Sequence, residues 1–326
     1  MNILIVKTSS LGDVIHMLPA ITDAVRAIPS LNVDWLIEEP FAPIPAWHPA
    51  VQNVISIAMR RWKKNLAHQT TWREIKAARQ TLRKKNYDLI IDSQGLLKSA
   101  IWARMAKGDR VGYDRQSIRE PLASLFYDRG LKVSRQLHAI ERNRQLLALA
   151  LGYPLQTGEP DYGLQGLQSR LPGAPSVRLP EKSIVALHGT SRDDKLWPVE
   201  GWITLANSLQ TTHYTLVLPW GNDAEHQRAL NISKHASNAM VLPKLGLNDL
   251  ASVLGQALAV VGVDIGLLHL AAGLGKPGLA LYTATQPKLT GAVSDCHAQS
   301  VLQNLSSPET LTPQAVAQAL DSILHK

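Results

Sequence analysis

The feature that most constrains this fold is the alternation of short, β-branched apolar runs with longer stretches of helical periodicity. Parallel strands joined by crossover helices give this pattern, because both faces of such a sheet are covered. The first half predicts strands at residues 3–6, 33–37, 54–57 and 89–92, and the second half at 184–188, 215–218, 240–242, 260–264 and 279–282. The sequence therefore predicts an α/β protein with doubly wound parallel sheets.

Length and local composition divide the chain into two domains. At 326 residues it is long enough for two hydrophobic cores. Residues 153–182 are rich in Pro, Gly, Gln and Ser and contain no run of charge, which is typical of a connection between domains. We predict an N-terminal domain over 1–160, a linker over 161–182, a second domain over 183–310 and a C-terminal helix over 311–326.

Positive charge is concentrated in the first half of the chain. The whole sequence has 34 Lys and Arg against 26 Asp and Glu, a formal net charge of +8. Residues 1–160 contain 23 basic and 14 acidic residues, a net of +9, whereas residues 161–326 contain 11 and 12, a net of −1. An anion-binding surface is therefore expected on the N-terminal domain.

Composition excludes several classes of protein. With 45% hydrophobic and 18% charged residues, the chain is too apolar and too weakly charged to be disordered. Cys296 is the only cysteine, which excludes an internal disulfide and a cysteine-based zinc site. The longest nearly uncharged run, residues 250–274, contains Asp264 and several glycines, so a transmembrane helix is not expected there.

In open α/β sheets, ligands bind beyond the carboxyl ends of the strands, so the residues after each strand matter most. Neither half has a G-x-G-x-x-G motif after its first strand, and no P-loop motif occurs. After the first strand, Gly12 permits a tight turn, and Asp13 stands at the start of a helical pattern with Lys7 nearby. Asp13 is interpreted either as a helix cap or as a carboxylate general base.

Three loops of the second half carry polar residues in the same kind of position. Residues 188–198 contain Lys195, whose positive charge is suited to binding phosphate. A polar surface loop with an aspartate in its turn is an equally good interpretation of this segment. Residues 262–270 combine Asp264 with a glycine at the start of a helix, which indicates a diphosphate site. Alternatively, Asp264 is a helix cap and the histidine of this segment is a buried core residue. Glu225 follows a third strand. It is interpreted either as a contact to the ribose or as an exposed residue at the start of a helix.

Residues 60–85 contain ten basic residues and one acid, Glu74. The solvated face of an amphipathic helix explains part of this segment. The cluster that begins at Arg60 follows a strand directly, and its like charges repel one another unless an anion compensates them. No nucleic-acid-binding motif accompanies it, so a phosphorylated or carboxylated ligand or an anionic membrane surface is predicted, and no nucleic acid.

Five segments, in order along the chain, resemble the lipopolysaccharide heptosyltransferase I family. The resemblance covers nearly the whole chain, and the combination is far more specific than any one segment. It implies the GT-B architecture, with two Rossmann-like domains facing across a cleft and a C-terminal helix returning to the N-terminal domain. The segments are residues 7–18 (KTSSLGDVIHML), 119–127 (REPLASLFY), 188–198 (HGTSRDDKLWP), 218–221 (LPWG) and 263–270 (VDIGLLHL).

The resemblance implies inverting transfer of L-glycero-D-manno-heptose from ADP-heptose to the Kdo of a Kdo2-lipid A acceptor in lipopolysaccharide core synthesis. It makes Asp13 the catalytic base, with Lys195 stabilising the leaving diphosphate. The implied donor-binding residues are Thr190, Ser191, Lys195, Glu225, Asp264, Ile265, Gly266 and His269. The implied acceptor-binding residues are Lys7, Arg60, Arg61, Lys63, Lys64, Lys98 and Arg119.

The donor loop departs from the family pattern at two positions. Family members usually have Thr and Ser where this chain has Ile265 and Leu268. If the missing threonine hydroxyl makes one hydrogen bond to the donor, about 0.5–1.5 kcal/mol of binding is lost. Weaker binding of ADP-heptose or a shifted donor preference would follow.

The expected partners are ADP-heptose, an anionic Kdo-lipid A acceptor and the inner-membrane surface. We expect a cytoplasmic protein, peripheral on the inner membrane, that uses no cofactor and no metal because no acidic cluster suits a divalent ion. The alternatives are a GT-B transferase for another nucleotide sugar or a later core heptose, a lipid-surface binding protein that has lost donor binding, and a nucleotide-sugar epimerase of similar fold.

Overall fold

The computed structural model describes residues 1–210 and 212–325. The chain divides into two compact units, Met1–Gly163 and Leu164–Lys326, and each unit is built on a six-stranded sheet. All strand pairs in both sheets are parallel, as the alternating apolar pattern predicts.

The first unit contains six strands and seven α-helices. The strands are β1 (Asn2–Val6), β2 (Asn32–Glu38), β3 (Val51–Ile57), β4 (Asn86–Asp92), β5 (Lys107–Tyr113) and β6 (Arg129–Leu131). The helices are α1 (Leu11–Ile15), α2 (Leu18–Ala27), α3 (Pro43–Trp47), α4 (Met59–Lys64), α5 (Gln69–Lys84), α6 (Leu97–Met105) and α7 (Ala139–Leu151), with 3-10 turns at Glu39–Phe41 and Pro121–Phe126.

The second unit contains six strands and five α-helices among its described residues. The strands are β7 (Ser183–Leu187), β8 (Thr215–Leu218), β9 (Ala239–Val241), β10 (Ala259–Val263), β11 (Gly278–Leu281) and β12 (Leu302–Leu305). The helices are α8 (Val199–Gln210), α9 (Asp223–His235), α10 (Leu247–Gln256), α11 (Gly266–Gly273) and α12 (Pro313–Leu324), with 3-10 turns at Leu167–Ser169 and Asp193–Lys195.

The two sheets have equivalent strand orders. The first reads β3-β2-β1-β4-β5-β6 and the second, from its other edge, β9-β8-β7-β10-β11-β12. In each unit the chain reverses direction across the sheet between its first and fourth strands, which are the pairs β1–β4 and β7–β10. Ligands of doubly wound sheets bind at this switch point, beyond the carboxyl ends of the strands. The fold therefore places the loops after β1, β4, β7 and β10 at the two candidate sites.

All nine predicted strands are present, with ends that differ by a few residues. The apolar pattern did not predict β5, β6 and β12. β5 begins with Lys107 and carries Asp109 and Arg110, and it lies toward one side of the sheet, where its first half is exposed. β6 and β12 are short edge strands. Strands that are not covered on both faces lack the continuous apolar run that revealed the others.

The predicted linker is packed against the second unit. Leu164 and Leu167 are buried, and the side-chain amide of Gln168 donates to the Ala251 carbonyl at 3.0 Å. Further along, the Leu179 amide donates to Gln256 Oε1 at 3.1 Å. The segment 164–182 is therefore tied to α10, because its leucines and backbone groups find partners there, rather than forming a free connection.

The C-terminal helix α12 packs its apolar face on α8 and β11 in the second unit. The return of this helix to the N-terminal domain stays a prediction. Val316, Leu320 and Ile323 are buried in that core. Full burial of one such side chain contributes about 1.5–3 kcal/mol, and this explains where the helix docks.

No described helix combines the length and the apolar character needed to cross a bilayer.

Candidate active site

The switch point of the first unit is built around a buried ion cluster. Lys7 follows β1, is 7% exposed, and donates from Nζ to the Ser93 carbonyl at 2.9 Å. Asp92, the last residue of β4, is fully buried and accepts from the amides of Gln94 and Gly95 at 2.9 and 3.2 Å. These contacts join the loops after β1 and β4 into one rigid platform.

Burial dominates the electrostatics of this platform. It lowers the pKa of the Lys7 ammonium, against the opposing effect of the carboxylates of Asp13 and Asp92. It also raises the pKa of the Asp92 carboxyl, although hydrogen bonds from Tyr127 Oη, at 2.8 Å, and from the adjacent loop favour the ionised form. Lysine and aspartate therefore depend on one another for charge compensation.

Asp13 lies in α1, at the third position of the helix. Its Oδ2 accepts from the Ser10 backbone amide and from Ser10 Oγ, both at 2.9 Å. The two residues form a capping box, so the interpretation of Asp13 as a capping residue is correct as local structure. Ser10 also holds the carboxylate in a fixed orientation beside the platform, as a general base requires.

Asp13 faces a cavity of about 100 Å³ within the first unit. The predicted residues Lys7 and Arg119 line the same cavity. So does Arg142 of α7, which no sequence pattern predicted because it lies within a helix and far from any strand end. The complete lining is Lys7, Asp13, His16, Ser93, Gln94, Tyr113, Arg119, Ala139, Arg142 and Asn143.

The other predicted acceptor residues do not line this cavity. Arg60, Arg61, Lys63 and Lys64 are exposed on α4, and Lys98 is exposed on α6. Two side chains of this set have clear partners: Arg61 pairs with Glu39 at 3.1 Å and with Glu74 at 2.9 Å, and the Arg60 guanidinium lies over the Phe41 ring at 5.4 Å. Within the described residues, Lys63 and Lys64 form no ion pair. Part of the basic cluster is thus compensated within the fold.

The switch point of the second unit contains an ion pair between its two loops. Lys195 follows β7 and donates from Nζ to Asp264 Oδ2 at 2.7 Å, just beyond the end of β10. Thr285 Oγ1 donates to the same oxygen, also at 2.7 Å. The two predicted donor residues therefore lie together, with the Asp264 carboxylate bound to a cation and a hydroxyl.

The loop after β7 also meets the start of α9. The backbone of Gly189 lies close against the Glu225 side chain. A Cβ atom added at this glycine would clash with Glu225, at 2.6 Å from its Cγ. Glu225 Oε2 accepts from the Gly221 amide at 2.7 Å, which fixes the carboxylate at this edge. The neighbouring hydroxyls belong to Thr190, which is half-buried, and Ser191, which is exposed. The predicted phosphate and ribose contacts therefore share one loop cluster.

The eight-residue helix α11 begins at Gly266, and Ile265 is its N-cap with extended backbone and no side-chain capping hydrogen bond. A Thr or Ser would usually supply that bond. Leu268 is fully buried and lies near the backbone of Gly262, which explains an apolar residue at this position. His269 is 5% exposed in the same helix.

His188, directly after β7, is a buried histidine whose pKa falls to about 4. Burial is the main cause, and the positive charge of Arg228 acts in the same direction. The imidazole is therefore neutral near pH 7. This position was predicted only as the end of a strand.

With this geometry established, comparison with known proteins decides the family. The model of glycosyltransferase family 9 (heptosyltransferase) matches residues 75–319. Lipopolysaccharide heptosyltransferase 1 of Pseudomonas aeruginosa is 50% identical over 295 residues, which cover 90% of this chain and 81% of that protein. The chain belongs to glycosyltransferase family 9, the heptosyltransferases.

Two solved heptosyltransferase structures match this family 9 chain over 99% of both chains at 42% identity. E. coli heptosyltransferase WaaC with ADP gives a TM-score of 0.90, and WaaC with ADP-2-deoxy-2-fluoro heptose gives 0.86. The predicted family, the GT-B fold class and the assignment as a glycosyltransferase are therefore confirmed.

Proposed function

We propose that this heptosyltransferase transfers L-glycero-D-manno-heptose from ADP-heptose to the Kdo of a Kdo2-lipid A acceptor, with inversion at the anomeric carbon. The observation that carries the proposal is the Asp13 carboxylate, held by Ser10 beside a cavity with several cations in its lining. The high identity to lipopolysaccharide heptosyltransferase 1 of P. aeruginosa and the similarity to WaaC with a heptose nucleotide support the donor and the class of acceptor.

Asp13 acts as the general base of this reaction. The acceptor hydroxyl attacks C1 of the heptose opposite the departing ADP, and the carboxylate takes its proton as the C–O bond forms. Single displacement by this route inverts the configuration at C1. General base catalysis of this kind contributes about 10²–10⁴-fold to a rate.

The second unit binds the donor and stabilises the leaving group. Lys195 and the amino end of α11 at Gly266 supply positive charge for the diphosphate, while Thr190 and Ser191 offer hydroxyls to its oxygens. Glu225 binds the ribose. A divalent metal is not required in this scheme, so transfer should continue at an unchanged rate when a chelator such as EDTA is added.

We place the acidic parts of the acceptor and the cytoplasmic face of the inner membrane against the basic surface of α4 and α5. Lys63 and Lys64 are exposed there, next to Leu66 and Trp72, which are 52% and 58% exposed. Exposed aromatic and aliphatic side chains beside lysines suit the interface of an anionic bilayer. The protein should sediment with phosphatidylglycerol vesicles at low salt, and the paired change Lys63→Gln and Lys64→Gln should reduce that fraction.

The test of the proposed function is the mass of the product. ADP-heptose incubated with deacylated Kdo2-lipid A should increase the acceptor mass by one heptose residue, with release of one ADP for each product. Lipid A without Kdo is the matched control and should remain unchanged. ADP release without an increase in acceptor mass would refute the proposal.

A second candidate, transfer from another nucleotide sugar, is favoured by one observation. Ile265 occupies the capping position of α11 and makes no side-chain capping hydrogen bond, where the family resemblance implies a threonine hydroxyl. Competition decides between the two: unlabelled ADP-heptose should suppress transfer from labelled ADP-heptose at lower concentration than ADP-glucose or UDP-glucose does.

A further inference from the structure

The cavity beside Asp13 is small and entirely within the first unit. Its volume is about 100 Å³. This volume is large enough for an oxyanion group such as a carboxylate.

The charges around the cavity are unbalanced. Lys7, Arg119 and Arg142 line it, and Asp13 is the only acidic residue in its lining. With the buried Asp92, which also acts on Lys7, two carboxylates stand against three basic side chains. The positive charges of the two arginines repel the Lys7 ammonium and lower its pKa in the same direction as burial, against the larger opposing effect of the Asp13 and Asp92 carboxylates. A bound anion would relieve this repulsion.

Arg142 is held in place with unused hydrogen-bonding capacity. One of its terminal nitrogens donates to the Ser117 carbonyl at 2.8 Å, and its guanidinium lies 4.7 Å from the centre of the Tyr113 ring. Its Nε is buried and makes no hydrogen bond to any described residue. A guanidinium has five N–H donors in a planar arrangement that matches a carboxylate.

We propose that Arg142 and Arg119 bind the carboxylate of the acceptor sugar in this cavity. The proposal rests on the proposed function, since the acceptor there is the sugar acid Kdo. With its carboxylate held between the two arginines, the sugar presents its nucleophilic hydroxyl to Asp13. Arg142 is thus a positioning residue for the acceptor.

A carboxylate suits this cavity better than the diphosphate of the donor. Asp13 lines the cavity, and its negative charge repels a doubly charged phosphate group more strongly than a singly charged carboxylate. The diphosphate also has a proposed cation of its own in Lys195.

The experiment compares two acceptors: deacylated Kdo2-lipid A, and the same molecule with its Kdo carboxylates converted to amides. The wild-type enzyme should use the amide about 10- to 100-fold less efficiently in kcat/KM, the range expected for charge-assisted hydrogen bonds. In Arg142→Gln this ratio should fall toward one, while the KM for ADP-heptose stays within about twofold. Arg129→Gln removes an exposed arginine from β6 and should retain the wild-type ratio.

The outcomes separate this proposal from the proposed function. Absence of any transfer by the wild type would refute the proposed function itself. Transfer with equal use of acid and amide would overturn the carboxylate subsite alone, as would an Arg142→Gln enzyme that keeps the wild-type ratio. If Arg142→Gln fails to fold, the ratio of kcat/KM for the acid and amide acceptors can be measured in Arg119→Gln and Arg142→Lys instead. Both variants should have a lower ratio than the wild type.

Discussion

The residue that directly follows the first strand is a buried titratable side chain in both units, but its surroundings differ. Lys7 follows β1 and lies near the carboxylates of Asp13 and Asp92, which oppose the effect of burial on its pKa. His188 follows β7 and has Arg228 nearby, which adds to the effect of burial, so it is neutral. Equivalent strand orders therefore carry different titratable groups with different surroundings, because the loops of the two units differ.

The two aspartates of the switch points differ in the same way. Asp13 accepts hydrogen bonds from a backbone amide and a hydroxyl, whereas Asp264 is bound to the ammonium of Lys195. This difference in partners supports the proposal that proton transfer belongs to the first unit and diphosphate binding to the second.

The largest effect is expected from removing the proposed general base of the first unit, Asp13. Asp13→Asn keeps the shape of the side chain and an acceptor for the Ser10 amide, but it cannot take a proton. The kcat for heptose transfer should fall by about 10²–10⁴-fold. Asp109→Asn, at an exposed position in β5, is the matched control and should retain the wild-type rate. A kcat for Asp13→Asn within about threefold of wild type would contradict the assignment.

The next effect concerns the ion pair of the second unit. Lys195→Ala removes a cation from the diphosphate and leaves Asp264 without its partner, so ADP should bind about 10- to 100-fold more weakly by calorimetry. The double change Lys195→Ala with Asp264→Asn removes the remaining charge and should recover part of that loss. Lys234→Ala, on the exposed face of α9, is the control. No recovery in the double variant would mean that Asp264 does not repel the bound diphosphate.

His188 makes the stability of the protein depend on pH, which tests the difference between the two units. Because its folded pKa is about 4 against an ordinary value of 6.5, the unfolded chain binds more protons at acidic pH. Its contribution to the free energy of unfolding is constant above about pH 6.5. As the pH falls toward 4, this contribution becomes unfavourable. The free energy of unfolding should decrease by about 2 kcal/mol between about pH 7.5 and about pH 5 for this reason.

Denaturant unfolding at these two pH values measures the effect. His188→Gln should lose about 2 kcal/mol less than the wild type on acidification, and His235→Gln, at an exposed site in α9, should behave like the wild type. Equal acid sensitivity of His188→Gln and the wild type would show that the ring is not buried in its neutral form.

The smallest effect tests the donor loop. Ile265→Thr provides a hydroxyl at the capping position of α11, at the cost of apolar contact with the core of the second unit. One added hydrogen bond should tighten ADP-heptose binding by about 2- to 10-fold in a calorimetric titration. Ile265→Val, which shortens the side chain without adding a hydroxyl, should not. Equal affinities for the Thr and Val variants would leave the hydroxyl without a role.

Much of the fold could be predicted because both sheets are parallel and mostly buried. The central strands β1, β4, β7 and β10 read as continuous apolar runs, so their positions followed from the pattern. The docking of α12 could not be predicted from its own sequence. Its apolar stripe fits any apolar surface, and only the tertiary structure shows that it is buried on α8 and β11.

The candidate site could be predicted where polar residues lie in the loops after strands. Asp13, Lys195 and Asp264 are candidates because ligands bind beyond the carboxyl ends of parallel strands. Arg142 was missed because it reaches its cavity through the packing of α7, which no local pattern encodes. Asp92 offered a signal that was overlooked, since an aspartate ending a buried apolar strand is costly without partners.

The central claim is that the first unit provides the base and the second unit binds the donor. Calorimetric titration of ADP into folded Asp13→Asn tests it most directly. We expect an ADP dissociation constant within about twofold of wild type, in an enzyme whose transfer rate has fallen by at least about 100-fold. An ADP affinity that falls in parallel with the transfer rate would contradict this division of roles.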